Sequence, residues 1–172
     1  SSNRCSRLSY VEQEAKFFSN LTTRETLELD ARLRGASDEN KVVELVEATM
    51  KKMSLTSCAD TVVGGDTSGK AVVGISGGER RRLAIASETL SSLGGDEDDD
   101  AGLVLLVDEA TSGLDAFQAN IMVEKLVEIA RGGACVVCTL HQPRSASFTK
   151  VDDLLLLASG GRVAYFGPRA LA

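Results

Sequence analysis

The sequence predicts an α/β fold with a parallel-sheet core, a mostly helical region ahead of that core and a β-hairpin at the C-terminus. Three observations predict it. Leu103-Val-Leu-Leu-Val107 is an unbroken apolar run, the pattern of a strand buried on both faces. A segment of helical period follows over residues 116–131, and a second strand-like run covers 134–140. Strand, helix and strand in that order, with buried strands, describe a parallel sheet.

The earlier elements are read from period and capping. Residues 7–11 read as a short strand ending near Gln13. A helix is expected over residues 37–53, where Val42, Leu45, Val46, Met50 and Met53 recur at helical spacing with charges between them. Residues 56–74 are rich in Gly, Thr, Ser and Asp and read as loop. The next helix starts at Ser76. Ser76-Gly-Gly-Glu79 fits a capping box, with Leu83, Ala86 and Leu90 on one face behind it. Residues 91–101 read as an acidic loop.

The later elements follow the same logic. In the helix at 116–131, Ala119, Met122, Val123, Leu126 and Ala130 should face inward, and Gly132-Gly133 should stop it. Residues 153–158 and 162–166 read as a hairpin around Ser159-Gly-Gly161.

Composition narrows the function classes. The 172 residues suffice for one domain with its own core, and no internal repeat is visible. The net charge is −6, and five acidic residues sit together at Asp96, Glu97, Asp98, Asp99 and Asp100, so the remainder is near neutral. No basic stripe marks a nucleic-acid surface. The longest apolar runs, Leu103–Val107 and residues 154–158, are far shorter than the ~20 residues of a spanning helix. The opening SSNRCSRLSY lacks the apolar core of a signal peptide. Any membrane link is therefore expected through a partner or through sequence outside these residues.

The cysteines are Cys5, Cys58, Cys135 and Cys138. Cys135-Val-Val-Cys138 invites a redox or zinc reading. It lies in a strand-like run, where residues three apart point to opposite faces and share neither metal nor disulfide. Buried thiols in a reducing compartment are expected instead.

Asp108 and Glu109 carry the first chemical signal. They end the buried strand, and open parallel sheets bind ligands at the carboxyl ends of their strands. Adjacent carboxylates there suit phosphate chemistry: one holds Mg²⁺, the next orients or deprotonates an attacking water. The bland alternative is a turn with acidic residues. Ser112-Gly-Leu-Asp115 follows at once, and His141, the only histidine, comes just after the next strand. Gly74-Ile-Ser-Gly-Gly-Glu79 is a second phosphate candidate, because its glycines expose N–H groups at a helix N-terminus. An ordinary capped helix start is its alternative.

Taken together, Gln13, Ile75-Ser-Gly-Gly-Glu79, Leu103–Glu109, Ser112–Asp115 and His141 resemble the ATP-binding cassette (ABC) ATPases. They look like the family's Q-loop, signature, Walker B, D-loop and switch histidine, in the family's order. Asn20-Leu-Thr-Thr-Arg-Glu-Thr-Leu27, Gly78-Glu-Arg-Arg-Arg82, Leu140-His-Gln-Pro-Arg-Ser145 and Val163-Ala-Tyr-Phe-Gly-Pro168 resemble the G subfamily, of white-pigment and pleiotropic-drug-resistance type. Asp115-Ala-Phe-Gln118 resembles plant and algal half-size members.

The resemblance implies a partial ABC ATPase domain over residues 1–172, with a helical signature subdomain at about 28–92 and a Walker B and switch-histidine core at about 102–168. It implies ATP and Mg²⁺ as cofactors. Glu109 would polarise the attacking water, Asp108 would act through Mg²⁺, and Gln13 would sense Mg²⁺ or water. Ser76, Gly77, Gly78 and Glu79 form the signature end that would meet the ATP of an opposite subunit. His141 would contact the γ-phosphate in its own subunit, and Asp115 would act across the interface. Gln13, Asp108, Glu109 and His141 should then share one cleft, with Ser76 apart from it. The implied partners are a second nucleotide-binding domain, head to tail, and a transmembrane domain. No nucleic acid is implied, and the domain would lie on the cytoplasmic face of a membrane.

Two departures stand out. Ala110 replaces the usual Pro after the Walker B Glu. The phosphate loop G-x-x-x-x-G-K-S/T is missing from these residues and is expected upstream, so the chain alone is expected to be inactive. Gly64-Gly-Asp-Thr-Ser-Gly-Lys70 is a near match, but Ala71 lacks the hydroxyl that reaches Mg²⁺. A soluble ABC protein acting on ribosomes or DNA, and a non-catalytic fragment, are the rival readings.

Overall fold

A computed structural model describes residues 7–67, 70–90 and 102–171. The expected acidic loop and Cys5 lie outside them. The core is a three-stranded parallel sheet, in which β4 (Leu103–Val107) lies between β1 (Arg7–Val11) and β5 (Cys135–Cys138). Val11 pairs with Val107, and Val107 with Cys138, so the three strands end level at one edge. Between β1 and β4 the chain makes α1 (Thr23–Leu33), α2 (Glu39–Lys52), the hairpin β2–β3 (Gly65–Thr67 and Lys70–Val72) and α3 (Gly77–Thr89).

Capping explains where the helices begin. Ser76 opens α3 with a full capping box: its hydroxyl accepts from Glu79 N–H, and Glu79 accepts from Ser76 N–H at 2.8 Å. Thr22 and Glu25 do the same for α1. Asp115 caps α4 (Ala116–Arg131) by accepting from the N–H groups of Phe117 and Gln118 at 2.8 and 3.1 Å. Gly132 and Gly133 close that helix, Gly133 at φ +105° where a side chain would be strained.

Helix α3 is buried nearly all round, with Leu83, Ile85, Ala86 and Leu90 packed among Leu27, Val46, Met50, Met53 and Leu55. Burying each large aliphatic chain contributes ~1.5–3 kcal/mol. This cluster fixes α3 and therefore the position of its N-terminus. The short helix α5 (Ser145–Phe148) leads into β6 (Asp153–Ala158) and β7 (Arg162–Pro168), an antiparallel hairpin turned at Ser159–Gly161. Among the described residues, no helix is long and apolar enough to cross a membrane.

Several expectations need correction. Helix α1 was not foreseen, although Thr22 and Glu25 carry its capping signal. Residues 56–74 are not all loop: they contain a 3-10 turn at Thr56–Cys58 and the β2–β3 hairpin. Gly64 and Gly74 cross at the root of that hairpin, where a Cβ on Gly64 would lie 2.6 Å from Gly74 Cα. Strand β4 buries Leu103, Leu105 and Val107 fully but Val104 and Leu106 only in part. Cys135 lies on the same sheet face as the exposed Leu8, Tyr10 and Val137 and is itself exposed, while Cys138 faces the core and is half-buried. Among the described cysteines, only Cys58 fits the expected buried thiol. In α4, Met122, Val123, Leu126 and Ile129 are buried, while Ala119 and Ala130 are half-buried.

Candidate functional site

The level ends of the strands build the site. Because Val11 lies opposite Val107, Gln13 and Glu109 each follow two residues later and meet: Gln13 Nε2 donates to Glu109 Oε2 at 2.6 Å. Asp108 N–H donates to Val11 O at 3.0 Å, which holds the turn against β1. Glu109 adopts φ +47°, a left-handed conformation that costs a non-glycine residue energy and recurs at functional sites. Gln142, just after His141, is also left-handed at φ +46°.

Asp108 takes its hydrogen bonds from neutral hydroxyls. Thr139 Oγ1 donates to Oδ1 at 2.9 Å, and Tyr10 Oη reaches Oδ2 at 3.4 Å. The Asp108 charge, more than any other cause, raises the Tyr10 pKa above its ordinary value. Each Asp108 oxygen thus meets one hydroxyl and has a lone pair to spare.

Glu109 and His141 line one cleft of about 410 Å³ with Thr111, Ser112 and Gly113. Gln13 lines a second, of about 750 Å³, whose walls include Gly77, Arg80, Arg81, Ser112 and Gly113. The expected single cleft is therefore two adjoining ones that share Ser112 and Gly113, and Asp108 lines neither. Ser76 also lines neither, while its neighbour Gly77 borders the Gln13 cleft.

At the signature end, the Ser76 hydroxyl and the Glu79 carboxylate are used on each other, with Ser76 Oγ donating to Glu79 Oε2 at 2.7 Å. That bond, ahead of the backbone one, holds the Glu79 pKa below the usual carboxylate value. The N–H groups of Gly77 and Gly78 occupy the first turn, where no acceptor exists within the helix. A Cβ on Gly77 would meet nothing within 4 Å, whereas one on Gly78 would lie 2.7 Å from Gln118 Oε1. A side chain on Gly78 would therefore displace the Gln118 side chain, which accepts from Arg82. Asp115, besides any outward role, caps α4.

A family model described as ABC transporter matches residues 2–112. ABC transporter G family member 7 of Arabidopsis thaliana is 42% identical over 98% of this chain. Protein white of Drosophila melanogaster is 40% identical over 94% of it, and ABC multidrug transporter SNQ2 of Candida glabrata 36% over 94%. The chain belongs to the ABC transporter family. Within it, this is nucleotide-binding-domain sequence of the G subfamily. It spans 22% of the length of the Arabidopsis and Drosophila relatives and 10% of the Candida one.

This ABC transporter sequence holds further site residues that the motifs alone did not mark. Arg81, only 8% exposed, donates to the backbone carbonyls of Glu12, Gln13 (3.0 Å) and Asp108, tying α3 to the ends of β1 and β4. Burial lowers its pKa from the usual arginine value. Arg82 donates to Gln118 Oε1 at 2.8 Å, joining α3 to α4. The available signal was a run of arginines in an otherwise apolar buried helix, where each must find acceptors. Thr139 left no such signal. The phosphate-loop near match at Gly64–Lys70 falls in the β2–β3 hairpin and has no helix N-terminus behind it.

Proposed function

We propose that this chain is part of the ATPase that powers export of a substrate across a membrane by its full-length parent. The register that sets Gln13 against Glu109, beside Asp108 and near His141, supports this reading most strongly. The name of the Candida relative, a multidrug transporter, supports a transport role.

The carboxylates fit a Mg²⁺–nucleotide. Mg²⁺ is commonly held by one or two carboxylates together with substrate phosphates, and Asp108 and Glu109 supply two adjacent ones. ATP brings the phosphoanhydride bond to be broken, and Mg²⁺ offsets phosphate charge. Asp108 holds the cation directly or through water. Glu109 orients the attacking water and accepts its proton. Gln13, bonded to Glu109, senses the state of that water or cation and passes it towards the membrane helices.

His141 contacts the γ-phosphate from the Glu109 cleft. Ser76, Gly77 and Gly78, with Glu79 holding the cap, present the signature helix end to the ATP of a second nucleotide-binding domain packed head to tail. Asp115 acts across that interface. A transmembrane domain, in the same or a partner chain, receives the motion, and the ATPase sits on the cytoplasmic face. Residues 1–172 alone bind MgATP weakly, because they carry no phosphate loop.

Membrane fractionation of the full-length parent tests the transport reading. The parent should pellet with membranes, resist salt extraction and hydrolyse ATP there. Recovery with ribosomes or in the soluble fraction would overturn it.

A further inference from the structure

We propose that Thr139 is the positioning residue for both carboxylates of the site, holding Asp108 and Glu109 through one hydroxyl. This rests on the reading that those carboxylates serve ATP hydrolysis. Thr139 follows the last residue of β5, opposite Asp108 in the parallel register. Its N–H donates to Val107 O at 3.0 Å, and its carbonyl accepts from Ala110 N–H at 3.1 Å. Its hydroxyl accepts from Glu109 N–H at 2.6 Å and donates to Asp108 Oδ1 at 2.9 Å. Four bonds from one residue thus span positions 107 to 110.

The hydroxyl has a task that no apolar side chain performs. Glu109 is left-handed, so its N–H leaves the regular strand ladder and needs another acceptor. Asp108 needs a donor that fixes its rotamer without cancelling its charge. A hydroxyl accepts and donates at once. Valine has nearly the same shape and does neither, whereas serine does both. Thr139 therefore acts through Asp108 and Glu109, and nothing requires it to touch nucleotide.

The test compares Thr139→Val and Thr139→Ser in the full-length parent, with Glu109→Gln alongside. Thr139→Val should lower kcat at saturating MgATP by about 10–100-fold, the usual loss when a group orienting a ligand is removed. It should also raise the Mg²⁺ concentration giving half-maximal activity, while thermal unfolding shows the folded protein. Thr139→Ser should keep most of the rate and the wild-type Mg²⁺ dependence, a rescue that a packing role would not produce. If Thr139→Val does not fold, Thr139→Ala also lacks the hydroxyl, adds no new atoms and takes its place. Wild-type turnover without the hydroxyl, beside an inactive Glu109→Gln, would overturn this inference alone. Equal losses in the Val and Ser variants would do the same. An active Glu109→Gln would instead overturn the underlying assignment.

Discussion

The amide of Gln13 donates to the carboxylate of Glu109 at 2.6 Å, across two strands that end level. The two residues are 96 positions apart in the chain. The parallel register brings them together. The amide of Gln13 thus occupies one carboxylate oxygen of Glu109.

Arg81 secures that turn from behind. Replacing it with Met keeps much of the packing but leaves the carbonyls of Glu12, Gln13 and Asp108 without their charged donor. The loss should be on the order of 3 kcal/mol, given the strength of hydrogen bonds to charged groups. Thermal unfolding of the parent's ATPase domain should shift down by roughly 5–10 °C. An unchanged midpoint would mean that water satisfies those carbonyls without help.

The capping box at the signature helix predicts a pH dependence. Glu79 has a folded-state pKa below its ordinary carboxylate value, mainly because Ser76 donates to its charged form. Such a group stabilises the fold above its unfolded pKa of about 4.3. That contribution is lost as pH falls from there through the lower folded value. Glu79→Gln should therefore flatten the acid limb of a stability–pH curve and change little near neutrality in slope. A curve with the same acid limb as wild type would show that the cap contributes nothing.

The sequence carries the local part of this structure better than the tertiary part. Helix α4 is legible to the residue because Asp115 and Gly132-Gly133 mark both ends. The last hairpin is legible from its Ser159-Gly-Gly161 turn. Helix α1 has only scattered leucines, so its Thr22 and Glu25 cap was the one usable sign. The β2–β3 hairpin depends on the close crossing of Gly64 and Gly74, ten residues apart, which no local pattern encodes. Cys135 is exposed because it lies on the sheet face that also leaves Leu8, Tyr10 and Val137 open, a fact of tertiary cover rather than of the apolar run itself.

At the candidate site, Gln13, Asp108, Glu109 and His141 can be named from motif text, but not that Gln13 lines one cleft, Glu109 and His141 another, and Asp108 neither. Arg81 bonds to backbone carbonyls, which every residue possesses, and Thr139 meets Asp108 and Glu109 only through the strand register, so neither leaves a pairing signal in the sequence.

The central claim is that Glu109 orients the water that attacks ATP. Steady-state hydrolysis by the full-length parent, measured beside nucleotide binding, tests it most directly. Glu109→Gln keeps the size and one oxygen of the side chain but loses the carboxylate. ATP binding should survive and hydrolysis should fall by roughly 10²–10⁴-fold, the range for losing a positioned general base. His141→Ala should also slow turnover, through lost contact with developing charge on the transferring group rather than through the nucleophile. Near wild-type hydrolysis by Glu109→Gln would contradict the account, whatever the His141 variant does.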